Sequence, residues 1–367
     1  MKRKTLLYIM PVSWFWIKQR PQFIAGGLSE FFDVSVACLH DYNAEQKLKA
    51  EEGQNKHLKL YGTPTFNFIF KSGFLNTIQF WVKKLFLNWL IYRSEIVVFT
   101  VPEQIIYPFK TLLKSRIVVY DCMDDMPAFH EDNISHKNQI IAHEKLLSQL
   151  ANKIIVSSGV LKSRIAQRYL VDEKKLTVIN NGIRLLDFRT ADTGNLKQLF
   201  SDHQFQYLVY FGTVSEWFDM DLMKKLLDKH SNLKLIIFGP TDTALPISSN
   251  IIYGGILKHH QIESAMILSD ALIMPFKITE LILAVNPVKA YEYIASGKPV
   301  ILTEYDETKK FDEFAYLYNC SEELDLLFYK LSVGKLMPRQ NSEMCERFGL
   351  QNNWSQRIKI FAGVIGQ

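Results

Sequence analysis

Lys289 and Glu292 stand three residues apart in the run NPVKAYEYIASGKPVIL (286–302), a spacing that puts both side chains on one face of a helix. Asn286 is a residue type that caps helices, and Pro287 suits a first helical position, where its missing N–H is not needed. Gly297 ends the helix, and Pro299 leads into a strand. The unbonded N–H groups of Val288 and Lys289 then form a positive helix end suited to phosphate. A lysine at such an entrance can neutralise phosphate, and a glutamate one turn deeper can accept hydrogen bonds from sugar hydroxyls. A nucleoside diphosphate meets both requirements. An exposed Lys–Glu pair worth about 0.2–0.5 kcal/mol meets the same spacing.

A second group is acidic. In YDCMDDMPAF (120–129), Asp121 follows the strand-like run RIVVY directly, and Asp124 and Asp125 come next in a loop. A carboxylate at the end of a strand can accept or orient the proton of a hydroxyl nucleophile; an aspartate cluster can equally shape a turn. Arg20 and Gln22 in QRPQ open the first helix, where they can meet a substrate or a diphosphate, and Arg20 can instead pair with a carboxylate at the core's edge. Gly212 follows YLVYF and lets a turn approach a diphosphate closely, or simply ends the strand. Asp219, Met220 and Asp221 have the spacing of a metal-binding DxD, but they read as a helix start capped by an aspartate, so no metal is expected. Ser157 and Ser158 read as helix caps, Asn181 and Gly182 as turn residues, and His130 and His136 as solvent-facing.

The elements that must position these residues alternate throughout. Apolar runs such as TLLYIM, VSVACL, IVVFT, RIVVY and KIIVSS in the first half, and YLVYFG, LKLIIFG, ALIMPF and KPVILT in the second, suit strands buried on both faces of a parallel sheet. Helical patterns over 19–31, 103–114, 132–150 and 158–170 separate the earlier strands. The expected fold is α/β, two Rossmann-like doubly wound domains facing across a cleft, a division that 367 residues also favour. The periodicity lapses after Ile183, which places the domains at 1–184 and 185–351. The amphipathic segment 352–367 is expected to pack back on the first domain. Open α/β sheets bind ligands at the carboxyl ends of their strands.

Composition narrows the partners. Hydrophobic residues make up 48% and charged residues 22%, the balance of a soluble globular protein. Residues 1–184 hold 25 Lys+Arg against 16 Asp+Glu, and the remainder 18 against 22, so the basic half should face a membrane surface or a phosphate-bearing substrate. Nucleic acid is not expected, because no recognition motif accompanies the charge. Four scattered cysteines read as reduced thiols of a cytoplasmic protein. The opening basic-then-apolar run reads as a first buried strand ending at Pro11, not a signal peptide, and no apolar stretch reaches the roughly 20 residues of a spanning helix. The segment 66–93 has no acidic residue, four basic ones and nine aromatics, and suits an amphipathic helix lying in an anionic membrane interface. A buried connecting helix is its plainer reading.

The run PVKAYEYIASGKPVI resembles the donor-binding helix of GT-B glycosyltransferases, especially the mostly retaining family four and its teichuronic-acid and capsule branch. QRPQFIAGGLSE, VVYDCMDD, VSSGVLKSRI, VINNGI, YFGTVSEWFDMDLM, NIIYGGI and ALIMPF follow the same family's order over residues 5–303. The resemblance implies sugar transfer from a nucleotide donor, UDP-linked, to a saccharide or lipid-linked acceptor in cell-surface polysaccharide synthesis, without cofactor or metal, in the cytoplasm or peripherally at the inner face of the membrane. It implies donor contacts at Gly212, Thr213, Lys277, Asn286, Pro287, Val288, Lys289 and Glu292, with Glu292 on the ribose. Arg20 and Gln22 are then expected to meet the acceptor or the diphosphate, with Asp121 and Asp124 at the reacting hydroxyl. Two departures stand out. The family's second glutamate, eight residues earlier, is Ala284 here, with Glu280 or backbone amides available in its place, and its basic pair after the second domain's first strand is missing from GTVSEWFDMD, where Lys277, Lys289 or both can supply the charge. A nucleotide-sugar epimerase of the same superfold and a non-catalytic sugar-binding partner in polysaccharide assembly are the rival readings.

Overall fold

The computed structural model describes residues 3–15, 18–39, 55–64, 73–185, 188, 191, 193–194 and 196–366. The chain divides into two compact units, residues 1–180 with 354–367 and residues 181–353. The first unit is built on seven strands: β1 (Thr5–Ile9), β2 (Asp33–Leu39), β3 (Leu58–Thr63), β4 (Ile96–Phe99), β5 (Ile117–Cys122), β6 (Lys153–Val156) and β7 (Leu176–Val178). They lie in the order 3-2-1-4-5-6-7, every pair parallel. All four residues of β4 are buried, as a central strand covered on both faces requires. Helices α1 (Arg20–Leu28), α2 (Gly73–Tyr92), α3 (Ile134–Leu150) and α4 (Gly159–Tyr169) lie among the strands in sequence. The C-terminal helix, Trp354–Gly366, completes this unit against α1, with Trp354 stacked on Phe23 at 5.0 Å and Ile358, Phe361 and Ile365 buried.

The second unit has six parallel strands, β8 (Gln206–Phe211), β9 (Leu233–Phe238), β10 (Ile251–Gly255), β11 (Ala271–Met274), β12 (Val300–Thr303) and β13 (Tyr316–Tyr318), in the order 10-9-8-11-12-13. Helices α5 (Met220–Lys229), α6 (Val288–Ala295) and α7 (Ser342–Gln351) pack around it. In both sheets the chain winds outward from the middle in two directions, and the strand order reverses between β1 and β4 and between β8 and β11. Such switch points open a crevice at the carboxyl ends of the strands.

Two sequence expectations change. The helix over 103–114 is a 3-10 turn (Pro102–Ile106) and a single α turn (Lys110–Leu113). Pro108 lies between them, and its ring and missing N–H prevent one continuous helix. β13 went unnoticed in the sequence, being only three residues long with two of them half-buried. The expected interfacial segment is described from Gly73 onward, as α2; residues 66–72 lie outside the described residues.

Candidate functional site

At the switch point of the six-stranded sheet, β8 runs into Gly212 and Thr213. The Gly212 N–H donates to the Phe238 carbonyl (2.9 Å), and the Tyr210 hydroxyl donates to the Thr213 carbonyl (2.9 Å). Gly239, after β9, carries φ +139°, and a Cβ built there would sit 2.1 Å from the Gly212 oxygen. Two backbone turns therefore touch where any side chain would part them. Gly239→Ala should push the Gly212 turn out of place, since a carbonyl cannot rotate away as a side chain can. At a strained backbone cost of about 1–3 kcal/mol, a melting temperature below that of the native chain is the expected result, measured by thermal melts of the two proteins.

The β11 loop closes the other side. The Lys277 N–H donates to the Trp217 carbonyl at 2.7 Å, the Asp219 N–H donates to Pro275 at 2.8 Å, and Phe218 bridges Phe276. Lys277 itself is exposed and has no ion pair among the described residues. Asp219 caps α5, accepting from the Leu222 N–H at 3.2 Å. Among the described residues no group of three or more His, Cys, Asp or Glu could hold a metal ion.

Helix α6 joins β11 to the parallel strand β12 and so starts at the carboxyl edge of the sheet, its first N–H groups without intrahelical partners. It is fixed from behind, because the Phe211 N–H donates to the Tyr293 hydroxyl at 2.8 Å, directly before the Gly212 turn. Lys289 donates to Glu292 at 2.8 Å, and both are half-buried. Val288 is half-buried and Pro287 buried. Asn286 corrects the sequence reading. It does not cap α6, where Pro287 holds the cap position without a side-chain bond. Its Oδ1 accepts from the Asn181 N–H (2.8 Å), and its Nδ2 donates to the Tyr291 hydroxyl (3.2 Å) and to Glu307 (3.3 Å). Only 3% exposed, it ties the start of the unit to the entrance of α6 and leaves no side-chain atom for a ligand. Ala284, where the resemblance expects a second glutamate, is 1% exposed. Glu280 is exposed in the short helix before it.

In the seven-stranded unit the acidic cluster resolves into three different environments. Asp121 is fully buried. Its Oδ1 accepts from Arg20 Nε (3.0 Å) and Nη2 (2.8 Å), and its Oδ2 accepts from the Tyr8 hydroxyl (2.8 Å). Arg20 also donates to the Ile179 carbonyl at 2.8 Å. The expectation that Asp121 meets a substrate hydroxyl is therefore corrected: both oxygens are bonded inside the core. Arg20, in turn, is a core partner and not a ligand contact. Gln22 is likewise internal. It is 3% exposed, its Oε1 accepts from the Gln19 N–H (3.1 Å), and its Nε2 donates to the Ser13 carbonyl (3.3 Å).

Asp125 is 2% exposed and held by Arg164 (2.7 Å) and Arg168 (2.9 and 3.0 Å) on α4. Burial pushes its pKa up, but the two guanidinium groups outweigh this and hold the carboxyl below the ordinary range. Below it, Glu144 accepts from the hydroxyls of Tyr120 and Tyr169, both at 2.6 Å. This arginine clamp went unforeseen, although Arg164 and Arg168 are spaced four apart, on one helix face. Between these anchored aspartates sits Asp124. Its carbonyl accepts from the Met126 N–H (3.0 Å), and the Met123 carbonyl before it accepts from Ser157 Oγ (2.6 Å). The loop backbone is thus fixed on both sides, while the half-buried Asp124 carboxyl accepts no hydrogen bond among the described residues. Burial pushes its pKa up against the nearby Arg20, with Asp121 and Asp125 adding to the rise, to about 6. Ser158 caps α4 by accepting from the Leu161 N–H at 3.1 Å. His130 and His136 meet edge to face at 4.4 Å, both half-buried.

Two doubly wound parallel sheets in one chain make up the fold of the GT-B glycosyltransferases. HepE of Anabaena, solved in complex with UDP-glucose, matches with a TM-score of 0.68 at 12% identity, covering 99% of both chains. Sucrose-phosphate synthase of Thermosynechococcus elongatus matches with a TM-score of 0.70 at 11% identity, over 100% of this chain and 99% of that one. In sequence, the chain is similar to TuaH of Bacillus subtilis (strain 168), whose name assigns it to teichuronic acid biosynthesis as a glycosyltransferase. The two are 24% identical over 217 residues, a match spanning 56% of this chain and 54% of that protein. No family model matches.

Proposed function

We propose that the chain transfers a sugar from a UDP-linked donor to a saccharide or lipid-linked saccharide acceptor in cell-surface polysaccharide synthesis at the inner face of the membrane. The observation that carries the reading is the carboxyl edge of the six-stranded sheet. There the Gly212–Thr213 turn and Lys277 flank the switch point, and α6 begins with a half-buried Lys289–Glu292 pair. In this reading the turn and the first N–H groups of α6 hold the diphosphate, Lys277 and Lys289 offset its charge, and the Glu292 carboxylate accepts hydrogen bonds from the ribose. The resemblance to proteins solved with UDP and UDP-glucose supports the donor class. The seven-stranded unit takes the acceptor, and Asp124 accepts or orients the proton of its hydroxyl.

Glu292→Ala tests the donor half. The native pair contributes little to stability at its half-exposed position, so the variant should fold normally. Loss of a charged hydrogen bond worth about 1.5–3 kcal/mol should weaken UDP binding by roughly 10- to 100-fold. In thermal melts, UDP at 100 times its dissociation constant should stabilise the native chain by about 2.7 kcal/mol and the variant far less at the same concentration. Equal shifts for both proteins, or none for either, would remove the nucleotide from this pocket.

A further inference from the structure

Helix α2 carries an outer face that stands exposed among the described residues. Phe74, Ile78, Trp81, Leu85, Trp89 and Tyr92 are all exposed, from 39% at Ile78 to 73% at Phe74. At 100° per residue they fall within an arc of about 80°. Leu87, Leu90 and Ile91 point the other way, into the core. The helix is therefore apolar on both sides, with its inner face packed and its outer one bare, where an ordinary surface helix would be polar.

The charges mark what covers that face. From Gly73 to Arg93 there is no acidic residue. Lys84 lies 5.3–5.4 Å from the Phe80, Trp81 and Phe109 rings and Arg93 sits 4.9 Å from Trp89, one on each flank of the stripe, while Lys83 lies over the Tyr107 ring at 4.5 Å on the inner side. None of the three pairs with a carboxylate among the described residues. Long cationic side chains laid along aromatic flanks can extend to phosphates while their stems stay on apolar surface. A second copy packed face to face on α2 would bring these cations together with no counter-charge, whereas an anionic lipid surface supplies one. Trp and Tyr are also the aromatic types that settle at the headgroup boundary. No helix among the described residues is long and apolar enough to cross a membrane.

We infer that the outer face of α2 docks in the interface of an anionic bilayer, with the Phe74–Tyr92 stripe in the acyl boundary and Lys84 and Arg93, one on each flank, at the phosphates. The helix is tied to the loop after β4. Asn88, 6% exposed, donates to the Tyr107 carbonyl (2.9 Å) and accepts from the Phe109 N–H (2.8 Å). That loop leaves the β1–β4 switch point of the seven-stranded sheet, so docking brings the crevice edge to the lipid surface. An acceptor held there, which rests on the function proposed above, has its saccharide within reach while its lipid stays in the bilayer.

The test is flotation of the full chain with vesicles of phosphatidylcholine alone or mixed with phosphatidylglycerol. Co-flotation with the mixed vesicles, weakened by salt and accompanied by a blue shift of tryptophan emission, is expected. Trp81→Ser with Leu85→Ser should reduce partitioning about tenfold or more, and Lys84→Glu with Arg93→Glu should remove the preference for phosphatidylglycerol. The melting shift with UDP should be unchanged in both. Absence of flotation, equal flotation of the Trp81/Leu85 variant, or a native dimer that this variant converts to monomer would overturn the inference. A chain that binds UDP but does not float refutes the docking alone. One that floats but binds no UDP refutes the donor reading and leaves the docking standing.

Discussion

Arg20→Ala should destabilise the first unit by about 3–5 kcal/mol, because it leaves a buried carboxylate without its counter-charge. Asp121 is fully buried and takes two of its three hydrogen bonds from Arg20, which also donates to the Ile179 carbonyl. Removing the guanidinium leaves only the Tyr8 hydroxyl on that carboxylate. At about 2–4 °C per kcal/mol for a domain of this size, the melting temperature should fall by roughly 10 °C. Arg20→Met combined with Asp121→Leu removes both charges and should recover much of the loss, since a buried pair contributes little beyond an apolar replacement of similar volume. If instead Arg20 and Asp121 act on substrate, Arg20→Ala would melt near the native temperature and lose activity. Differential scanning calorimetry of the three proteins separates these outcomes.

The pairing of Arg20 with Asp121 shows where the sequence speaks and where it stops. Solid apolar runs such as IVVFT, RIVVY and ALIMPF mark central strands because a strand covered on both faces has no polar side. Their alternation with helices was enough to give both doubly wound sheets. Local turn chemistry was equally readable at Asp219 and Ser158, whose cap bonds reach only three residues ahead. Side chains with distant partners were not. Asp121 lies 101 residues from Arg20, and Asn286 lies 105 residues from Asn181. Each looks available for a ligand until the fold supplies its partner. The approach of Gly239 to Gly212 is of the same kind: it depends on two loops from neighbouring strands, which no local pattern records. The exposed stripe of α2 could be counted in the sequence, but which of its two apolar sides faced outward could not.

Asp124→Asn should lower the transfer rate by about 100- to 10,000-fold, the range for loss of a general base, while leaving the fold intact. Asp121 and Asp125 are bonded inside the unit, so of the three aspartates only Asp124 keeps a partly exposed carboxyl without a hydrogen bond among the described residues. With its pKa raised to about 6, the carboxyl must be ionised to act as a base. The rate of the native chain should therefore rise with pH through about 6 and level off above it. Stability should move in the opposite direction. A carboxyl whose folded pKa lies above its unfolded value binds the proton more tightly when folded. That contribution is present below the unfolded pKa and is lost as pH rises through the folded one. At pH 7.5 the ionised Asp124 is thus a burden on the fold, and the uncharged asparagine should melt at the same or a higher temperature than the native chain. Greater stability with lost turnover is the signature of a group held for chemistry. A variant that melts lower, or keeps both its rate and the rise near pH 6, would remove Asp124 from the reaction and leave the seven-stranded unit without a candidate base.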